Sequence, residues 1–151
     1  AILAQYEEAF LVIPILVTFI PMLTNTGGNA GSQASTLVIR SMVLNEIKMK
    51  DAFKVLWKEF RVSLIAGSFL GLINYIRLII TYPDQPLVVL VVSLSIFATV
   101  VIAKIVGGLL PLGAKLFKLD PAIMAAPLIT TIVDALSLLL YFYLAGLILH
   151  I

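Results

Sequence analysis

Four apolar runs, each long enough to contribute a membrane span, constrain the fold of this sequence more than any other feature. They cover approximately residues 9–23, 62–80, 87–112 and 121–151. About 20 apolar residues in a helix cross the hydrocarbon layer of a bilayer. With 62% hydrophobic and 12% charged residues over 151 positions, the chain is predicted to be an all-α, polytopic membrane helical bundle. Little sequence remains for a soluble domain, so residues 1–151 are interpreted as one membrane domain.

Composition and charge exclude several classes of protein. The sequence has no cysteine, which excludes disulfides and thiolate metal sites. A net charge of +2 would suit nucleic acid, but the basic residues cluster in one connecting segment and not on an aromatic-studded face, so no nucleic acid partner is expected. The first ten residues contain Glu7 and Glu8 and no Lys or Arg. They are therefore not a signal peptide, and we interpret them as the tail of an element that begins upstream.

The distribution of Lys and Arg predicts the topology, because positively charged loops stay in the cytoplasm. Two connections carry most of the basic residues, one between the first and second runs and one between the third and fourth. The turn at residues 82–86 has neither Lys nor Arg and is predicted to lie outside, as is the C-terminal His150. The expected location is the inner (plasma) membrane, with several passes and the C-terminus outside the cytoplasm. The basic residues concerned are Arg40, Lys48, Lys50, Lys54, Lys58, Arg61, Lys115 and Lys118.

Residues 48–61 alternate apolar and charged side chains with helical spacing. This pattern predicts a segment at the cytoplasmic interface, with Trp57 at the level of the lipid headgroups. Its role is either to anchor the chain there or to couple it to another domain.

Asp134 is the acidic residue that lies deepest in an apolar run. In a helix that starts near Ala122, a rise of 1.5 Å per residue would put it about 18 Å in, close to mid-bilayer. An ionised Asp there costs about 2.5–3.5 kcal/mol on insertion scales, so we expect it to face a wet cavity or a cation. The alternative is an ion pair with Lys104, although that side chain could instead extend toward the inner headgroups.

Small and polar residues recur every three or four positions around Asp134, which predicts a polar face on an otherwise apolar helix. Pro127 lacks a backbone donor and is expected to kink this helix and to free a carbonyl oxygen for the hydration shell of an ion. The residues of the predicted polar face are Ala126, Thr130, Asp134, Ser137 and Tyr141.

A stretch of small and polar residues follows the first apolar run, at residues 24–36. Polar sequence at membrane depth is tolerated where it is buried in protein or lines water. Gly27 and Gly31 suit close helix packing and pore lining equally, whereas Gly67 and Gly71 predict packing. The residues expected to line a pore are Asn25, Gly28, Asn29, Ser32 and Thr36.

These side chains suit an ion that keeps its water. Amides and hydroxyls can bind the waters of an ion without displacing them, and Mg²⁺ usually binds through one or two carboxylates and several waters. Ca²⁺ would need more direct oxygen ligands, and transition metals would prefer His or Cys. One Asp gives a single negative charge to a divalent cation, whereas a two-fold dimer gives two across its axis. A homodimer with a central pore is therefore predicted.

Two segments, about a hundred residues apart, resemble the signature of bacterial MgtE magnesium channels. The first covers residues 19–40 and includes the run Gly-Gly-Asn-Ala-Gly-Ser-Gln-Ala-Ser-Thr. The resemblance extends over nearly the whole chain. The second segment reads Asp120-Pro121-Ala122, then Pro127-Leu128, then Thr131-Ile132-Val133-Asp134, with the tail at residues 138–141.

The resemblance implies a homodimer with five membrane helices per subunit and a pore on the two-fold axis, in which Asp134 matches the selectivity-filter aspartate. In relatives, residues at the positions of Ala126, Thr130, Ser32 and Thr36 also approach the hydrated ion. Some members carry Asn where Ala126 and Ser32 stand, and Ala where Thr130 stands. The resemblance further implies a preceding first membrane helix and cytosolic regulatory domains with a paired nucleotide-sensing module. Residues 1–151 are interpreted as the channel domain without these parts.

The leading hypothesis for function is magnesium transport through a dimeric cation channel, with Mg²⁺ as the transported ion and no organic cofactor. The alternative is an ion-coupled divalent cation exchanger, which needs a protonatable relay that the spans hardly offer beyond Asp134. An enzyme is not expected, because an intramembrane aspartyl protease needs two aspartates, one of them in a Gly-x-Gly-Asp motif that the sequence lacks. A purely structural subunit is disfavoured by the cost of a mid-membrane Asp.

Overall fold

The computed structural model of the protein describes residues 13–151, and within this range all regular secondary structure is helical. The predicted all-α membrane fold is confirmed, and the second, third and fourth predicted apolar runs each correspond to a long helix. Short 3₁₀ turns at Met49–Asp51 and Pro121–Met124 precede the second and the fourth of the long helices. These helices are α1 (Ile20–Val43), α2 (Ala52–Thr81), α3 (Pro86–Leu116) and α4 (Ala126–Leu149).

Helix α1 contains the whole polar stretch at residues 24–36, so this stretch is a regular helix and not a loop. Residues 13–18 are also helical, and Phe19 separates them from α1. Pro21 lies in the first turn of α1, where a missing backbone N–H costs nothing because that group has no partner within the helix. The start of the first predicted run, at residues 9–12, lies outside the described residues.

Three of the helical segments in residues 13–151 are long and apolar enough to span a membrane. They are Met49–Thr81, Pro86–Leu116 and Pro127–Leu149. Helix α1 has the length for a fourth span, but its Asn, Ser, Thr and Gly residues make it too polar to satisfy the same criterion. The amphipathic sequence at residues 48–61 continues directly into α2. It is therefore continuous with a membrane helix, and its position at the cytoplasmic interface stays a prediction.

Helix α3 lies at the centre of the bundle and packs against each of the other three long helices, while α1 also packs against α4. Helix α2 meets α3 through Gly67 and Gly71, as predicted. A Cβ atom added to Gly67 would stand 3.1 Å from the carbonyl oxygen of Phe97, and one added to Gly71 would stand 3.3 Å from that of Ser93. The remaining surface of α2 carries exposed apolar side chains, which suits a helix that faces lipid.

The glycines of α1 are also packing positions. A Cβ on Gly27 would lie 2.8 Å from both Thr99 on α3 and Val133 on α4, and one on Gly31 would lie 2.9 Å from Ile129 on α4. Small residues let helix backbones approach closely in a bilayer, where no hydrophobic force holds helices together. Of the two roles that the sequence left open for Gly27 and Gly31, the structure shows packing.

The α1–α2 and α3–α4 connections lie at the same end of the bundle. A cavity at this end is lined by Ile39 and Val43 from α1, by Lys115 from α3 and by Asp120 from the last connection. The two Lys/Arg-rich connections therefore share one side of the membrane region, as the predicted topology requires. At the opposite end, the buried hydroxyl of Tyr141 donates a hydrogen bond of 2.7 Å to the carbonyl oxygen of Leu16.

Candidate functional site

Asp134 lies eight residues after the first residue of α4, which puts it about 12 Å along the helix at 1.5 Å per residue. The predicted helix start near Ala122 was wrong, because α4 begins at Ala126, so the predicted distance of about 18 Å along the helix is too long; the position of Asp134 close to mid-bilayer stays a prediction. The side chain is half-buried. Its Oδ1 atom is buried and has no hydrogen-bond partner within residues 13–151. A buried carboxylate oxygen in this situation needs a cation, water or another donor from outside the described residues.

Local sequence explains where α4 begins. The Asp120 carboxylate accepts a hydrogen bond of 3.0 Å from the backbone N–H of Ala122, which starts a 3₁₀ turn. Ala125 then has an extended backbone with φ −76° and ψ 175°, as is typical of the residue that caps the N-terminus of a helix. Pro127 lies in the first turn of α4. The predicted kink at Pro127 was therefore wrong, since a proline in the first turn breaks no helical hydrogen bond.

The small and polar face predicted around Asp134 packs against α1. Thr130 contacts Gly28, where an added Cβ would stand 3.3 Å from the threonine methyl group. Ser137 and Tyr141 are fully buried, and Ser137 faces Gly27, where its hydroxyl oxygen would stand 3.2 Å from an added Cβ. The face is thus a helix contact, with the half-buried Asp134 among its members.

The predicted pore-lining residues of α1 recur every three or four positions, which puts them on one side of the helix. Asn25, Asn29 and Thr36 are exposed, and Ser32 is half-buried. An exposed polar stripe on a membrane helix does not suit contact with lipid. The fifth residue, Gly28, is buried against Thr130 and so contributes to the α1–α4 contact.

The structure brings some of the predicted site residues together and separates another. Gly28 and Thr130 are in contact, and Asp134 lies one turn beyond Thr130 on α4. Asn29, in contrast, lines a cleft between α1 and α2, together with Gln33. Ala126 begins α4, but its side chain lies outside the described part of the structure.

Lys104, the alternative partner considered for Asp134, points elsewhere. Its ammonium donates a hydrogen bond of 2.7 Å to Oε1 of Gln33 on α1. Glu59, from α2, lines the same cleft as Lys104 and is only 4% exposed. Sequence reasoning missed the importance of Glu59 because it was placed in an interfacial segment, where an acidic side chain would be solvated.

Buried hydroxyl groups on α3 were also missed. Ser95 and Thr99 are fully buried, and their hydroxyl oxygens, like that of Ser137 on the predicted face of α4, have no partner within residues 13–151. Ser95 and Thr99 are four residues apart and so share a face of α3, and Thr99 packs at Gly27 beside Ser137. Their signal in the sequence was the presence of hydroxyl side chains inside an otherwise apolar run.

Within residues 13–151, no three His, Asp or Glu side chains come together in a group that could hold a metal ion. A cation next to Asp134 therefore meets a single carboxylate from the described part of one chain. This arrangement suits an ion that retains most of its own water, because one carboxylate cannot replace a full coordination sphere.

Comparison with known proteins places this arrangement in a family. Residues 20–144 match the family MgtE, described as a divalent cation transporter. The magnesium transporter MgtE of Bacillus subtilis is 35% identical over 150 residues, covering 99% of this chain and 33% of that protein. The magnesium transporter MgtE of Thermus thermophilus is 32% identical over 150 residues, with the same shares of both chains covered.

A third relative, the magnesium transporter MgtE of Enterococcus faecalis, is 28% identical over 146 residues, covering 97% of this chain and 32% of that protein. The chain thus spans about a third of the length of the relatives that it matches. The family match extends over four-fifths of the chain, from the start of α1 to within the last turns of α4. The chain is therefore a membrane protein that belongs to the MgtE family of divalent cation transporters.

Proposed function

We propose that this chain is the membrane-spanning part of a magnesium channel, in which two copies enclose a pore on a two-fold axis. Asp134 of each copy faces a hydrated Mg²⁺ ion in this pore. The observation that carries the proposal is the state of Asp134, whose buried Oδ1 has no partner in the described part of a chain that belongs to a cation transporter family. The relatives with which the chain aligns are named magnesium transporters.

Electrostatics support a pair of aspartates. A divalent ion about 5 Å from one carboxylate gains on the order of 6 kcal/mol at an effective dielectric constant of 20. This is less than the cost of removing the ion from water, so the ion keeps its waters and the carboxylates act across them. A second Asp134 from the partner chain doubles the attraction and balances the charge of the ion.

The residues around Asp134 have secondary roles in this proposal. Asn25, Ser32 and Thr36 carry amide and hydroxyl groups on the exposed side of α1, where they would bind the waters of a passing ion. Thr130 and Ala126 precede Asp134 by one and two turns on α4, so they would extend the lining toward the end of the pore that holds the basic connections. Gly28 lets α1 and α4 approach closely enough to place both helices at the pore wall.

The proposal also includes the orientation of the chain, its membrane and its place in the full-length protein. The basic connections face the cytoplasm and the C-terminus lies outside, in a bacterial inner (plasma) membrane. The relatives' additional length would supply the cytosolic regulatory domains of the full-length protein. Residues 1–151 would then be its channel domain, acting in transport and not as an enzyme.

The test is transport by the full-length protein in proteoliposomes, with Mg²⁺ entry followed by a dye inside the vesicles. Asp134→Asn keeps the size of the side chain and removes its charge, and it should lower Mg²⁺ flux at least tenfold while the protein still elutes as a dimer. The matched control is Asp84→Asn, which removes an exposed carboxylate from the outer turn and should leave flux unchanged. Normal flux through Asp134→Asn would exclude Asp134 from the pore.

One observation favours the alternative, an ion-coupled exchanger. Glu59 is a second acidic side chain within a candidate membrane span, and it is almost fully buried, so the described spans contain a second protonatable group besides Asp134. A channel should pass Mg²⁺ down its own gradient with no proton or sodium gradient present. Flux that stops when both of these gradients are removed would support the exchanger instead.

A further inference from the structure

A cleft of about 740 Å³ lies between α1 and α2, on a different side of α1 from α4. It exists because α1 and α2 each pack mainly against α3, with little direct contact between them. The apolar part of its wall includes Val62, Ala66 and Leu70 from α2. Its polar part is formed by Thr26, Asn29, Gln33, Lys58, Glu59 and Lys104.

Two opposite charges lie deep in this cleft. Glu59 is 4% exposed and contacts α3 at Gly108, where its Cγ would stand 3.0 Å from an added Cβ. Lys104 is 7% exposed and precedes Gly108 by one helical turn, so both side chains lie along the same face of α3. Lys58 also lines the cleft, but it is exposed.

The surroundings of the Lys104 ammonium resemble those of a bound cation. Its hydrogen bond goes to the amide oxygen of Gln33, at 2.7 Å. The Glu59 carboxylate and the amide side chain of Asn29 line the same cleft. Amide and carboxylate oxygens are the groups that bind hard cations in proteins. Charged side chains at membrane depth are retained where they face a partner or a water-filled cavity, and Lys104 has such a partner in Gln33.

We propose that Lys104 is a tethered cation, which fills what would otherwise be a second site for metal cations in the cleft between α1 and α2. Its positive charge neutralises Glu59 and repels free cations from the polar wall. Ion movement is thereby confined to the route past Asp134. In this role Lys104 determines specificity without touching the transported ion. The inference rests on the proposed function only in assigning the transport route to Asp134.

The proposal predicts the effect of removing one charge while keeping the polar contact. Lys104→Gln can still donate a hydrogen bond to Gln33, but it leaves the Glu59 carboxylate unbalanced among oxygen ligands. A buried charge that loses its partner is strongly unfavourable. A small cation such as Na⁺ can relieve this state by entering the cleft. A second substitution, Glu59→Gln, removes the charge that attracts it.

The experiment uses the full-length protein in proteoliposomes and measures Na⁺ entry with a dye inside the vesicles. Every variant also carries Asp134→Asn, so that the route past Asp134 contributes little. Lys104→Gln should raise Na⁺ entry at least fivefold above Asp134→Asn alone. Lys104→Arg keeps the charge and should give no increase. Adding Glu59→Gln to Lys104→Gln should return Na⁺ entry to the starting level.

Either of two results would overturn the proposal. One is Lys104→Gln protein that elutes as the parent does but shows no rise in Na⁺ entry. The other is a rise that persists when Glu59→Gln is added, since this would indicate a general leak through a disturbed bundle. If Asp134→Asn alone retained full Mg²⁺ flux, the proposed pore would fail, but the dependence of Na⁺ entry on Glu59 would still decide the role of Lys104.

A second measurement covers the case in which Lys104→Gln does not fold. Lys104→Cys introduces a thiol into residues 1–151, which contain no cysteine, and the same reagents on the Asp134→Asn parent control for thiols elsewhere in the full-length protein. An aminoethyl thiosulfonate restores a positive charge at this position, and a methyl thiosulfonate does not. Na⁺ entry should fall at least threefold with the first reagent and stay unchanged with the second. Equal effects of the two reagents would contradict a role for the charge.

Discussion

Gly107 on α3 gives the sharpest test of how closely the helices of this bundle approach. A Cβ added to Gly107 would overlap the carbonyl oxygen of Gly31 on α1, and it would stand 3.0 Å from the carbonyl carbon and the Cα of that residue. These are backbone atoms, so no side chain can rotate away to make room. Carbon–carbon contacts in proteins lie at about 3.5–4.0 Å. In Gly107→Ala the two helices must therefore separate by about 0.5–1 Å.

The expected cost follows from two opposing effects. Overpacking of a tight contact costs about 1–3 kcal/mol. Alanine recovers about 0.8–1.0 kcal/mol of helix propensity relative to glycine. Gly107→Ala should therefore lower the free energy of unfolding by up to about 2 kcal/mol. The matched control is Gly113→Ala in the same helix, because nothing lies within 4 Å of a Cβ added to Gly113. This control should be neutral or gain up to about 1 kcal/mol from propensity alone.

The assay is reversible unfolding of the two variants and the parent in mixed micelles with increasing SDS, followed by circular dichroism. The midpoint for Gly107→Ala should move to lower SDS, and that for Gly113→Ala should stay or rise. Equal midpoints for the two variants would refute the backbone contact between α1 and α3. Because α1 carries the polar stripe, Gly107→Ala should also lower Mg²⁺ flux in proteoliposomes.

Other substitutions test separate contacts by the same unfolding assay. Tyr141→Phe removes the hydrogen bond of 2.7 Å to the buried carbonyl oxygen of Leu16 and should cost about 0.6 kcal/mol, the average for hydrogen bonds between membrane helices, and at most about 1.7 kcal/mol; an unchanged midpoint would mean that water replaces the tyrosine hydroxyl. Thr99→Val removes a buried hydroxyl that has no partner in the described residues, so it should be neutral or stabilising, and a loss above about 1 kcal/mol would reveal a partner such as ordered water. Gly67→Ala should unfold at lower SDS than Gly113→Ala, because both variants gain helix propensity but only the Cβ at position 67 would stand 3.1 Å from a backbone oxygen, that of Phe97; equal midpoints for these two variants would show that α2 can move away from α3 freely.

The spans were predictable because membrane helices are constrained mainly by length and polarity. The secondary structure of residues 24–36 could not be predicted in this way, since Gly, Asn, Ser and Thr are poor helix formers in isolation. The helix forms there because Gly27 and Gly31 let α1 lie against α3 and α4 at backbone distance, a tertiary effect that no local window contains. The sequence therefore predicted where the polar residues lie along the chain but left their secondary structure open.

The site around Asp134 was likewise predictable from the sequence only in part. Spacing of three and four correctly grouped Thr130 and Ser137 with Asp134 on one face of α4, but it did not indicate that this face packs against α1. The distance of Asp134 from the start of α4 was overestimated because the 3₁₀ turn before Ala125 was read as the start of the helix. The position of Pro127 in the first turn is the signal that would have fixed the boundary.

Helix α1 is held in the bundle on one side by glycine and backbone atoms, and it presents its amides and hydroxyls on the other. The outward side chains at Asn25 and Thr36 therefore take no part in holding the helix in place. Exchanging them should alter what the protein selects without altering whether it folds. This separation makes α1 a suitable element for engineering ion preference, one residue at a time.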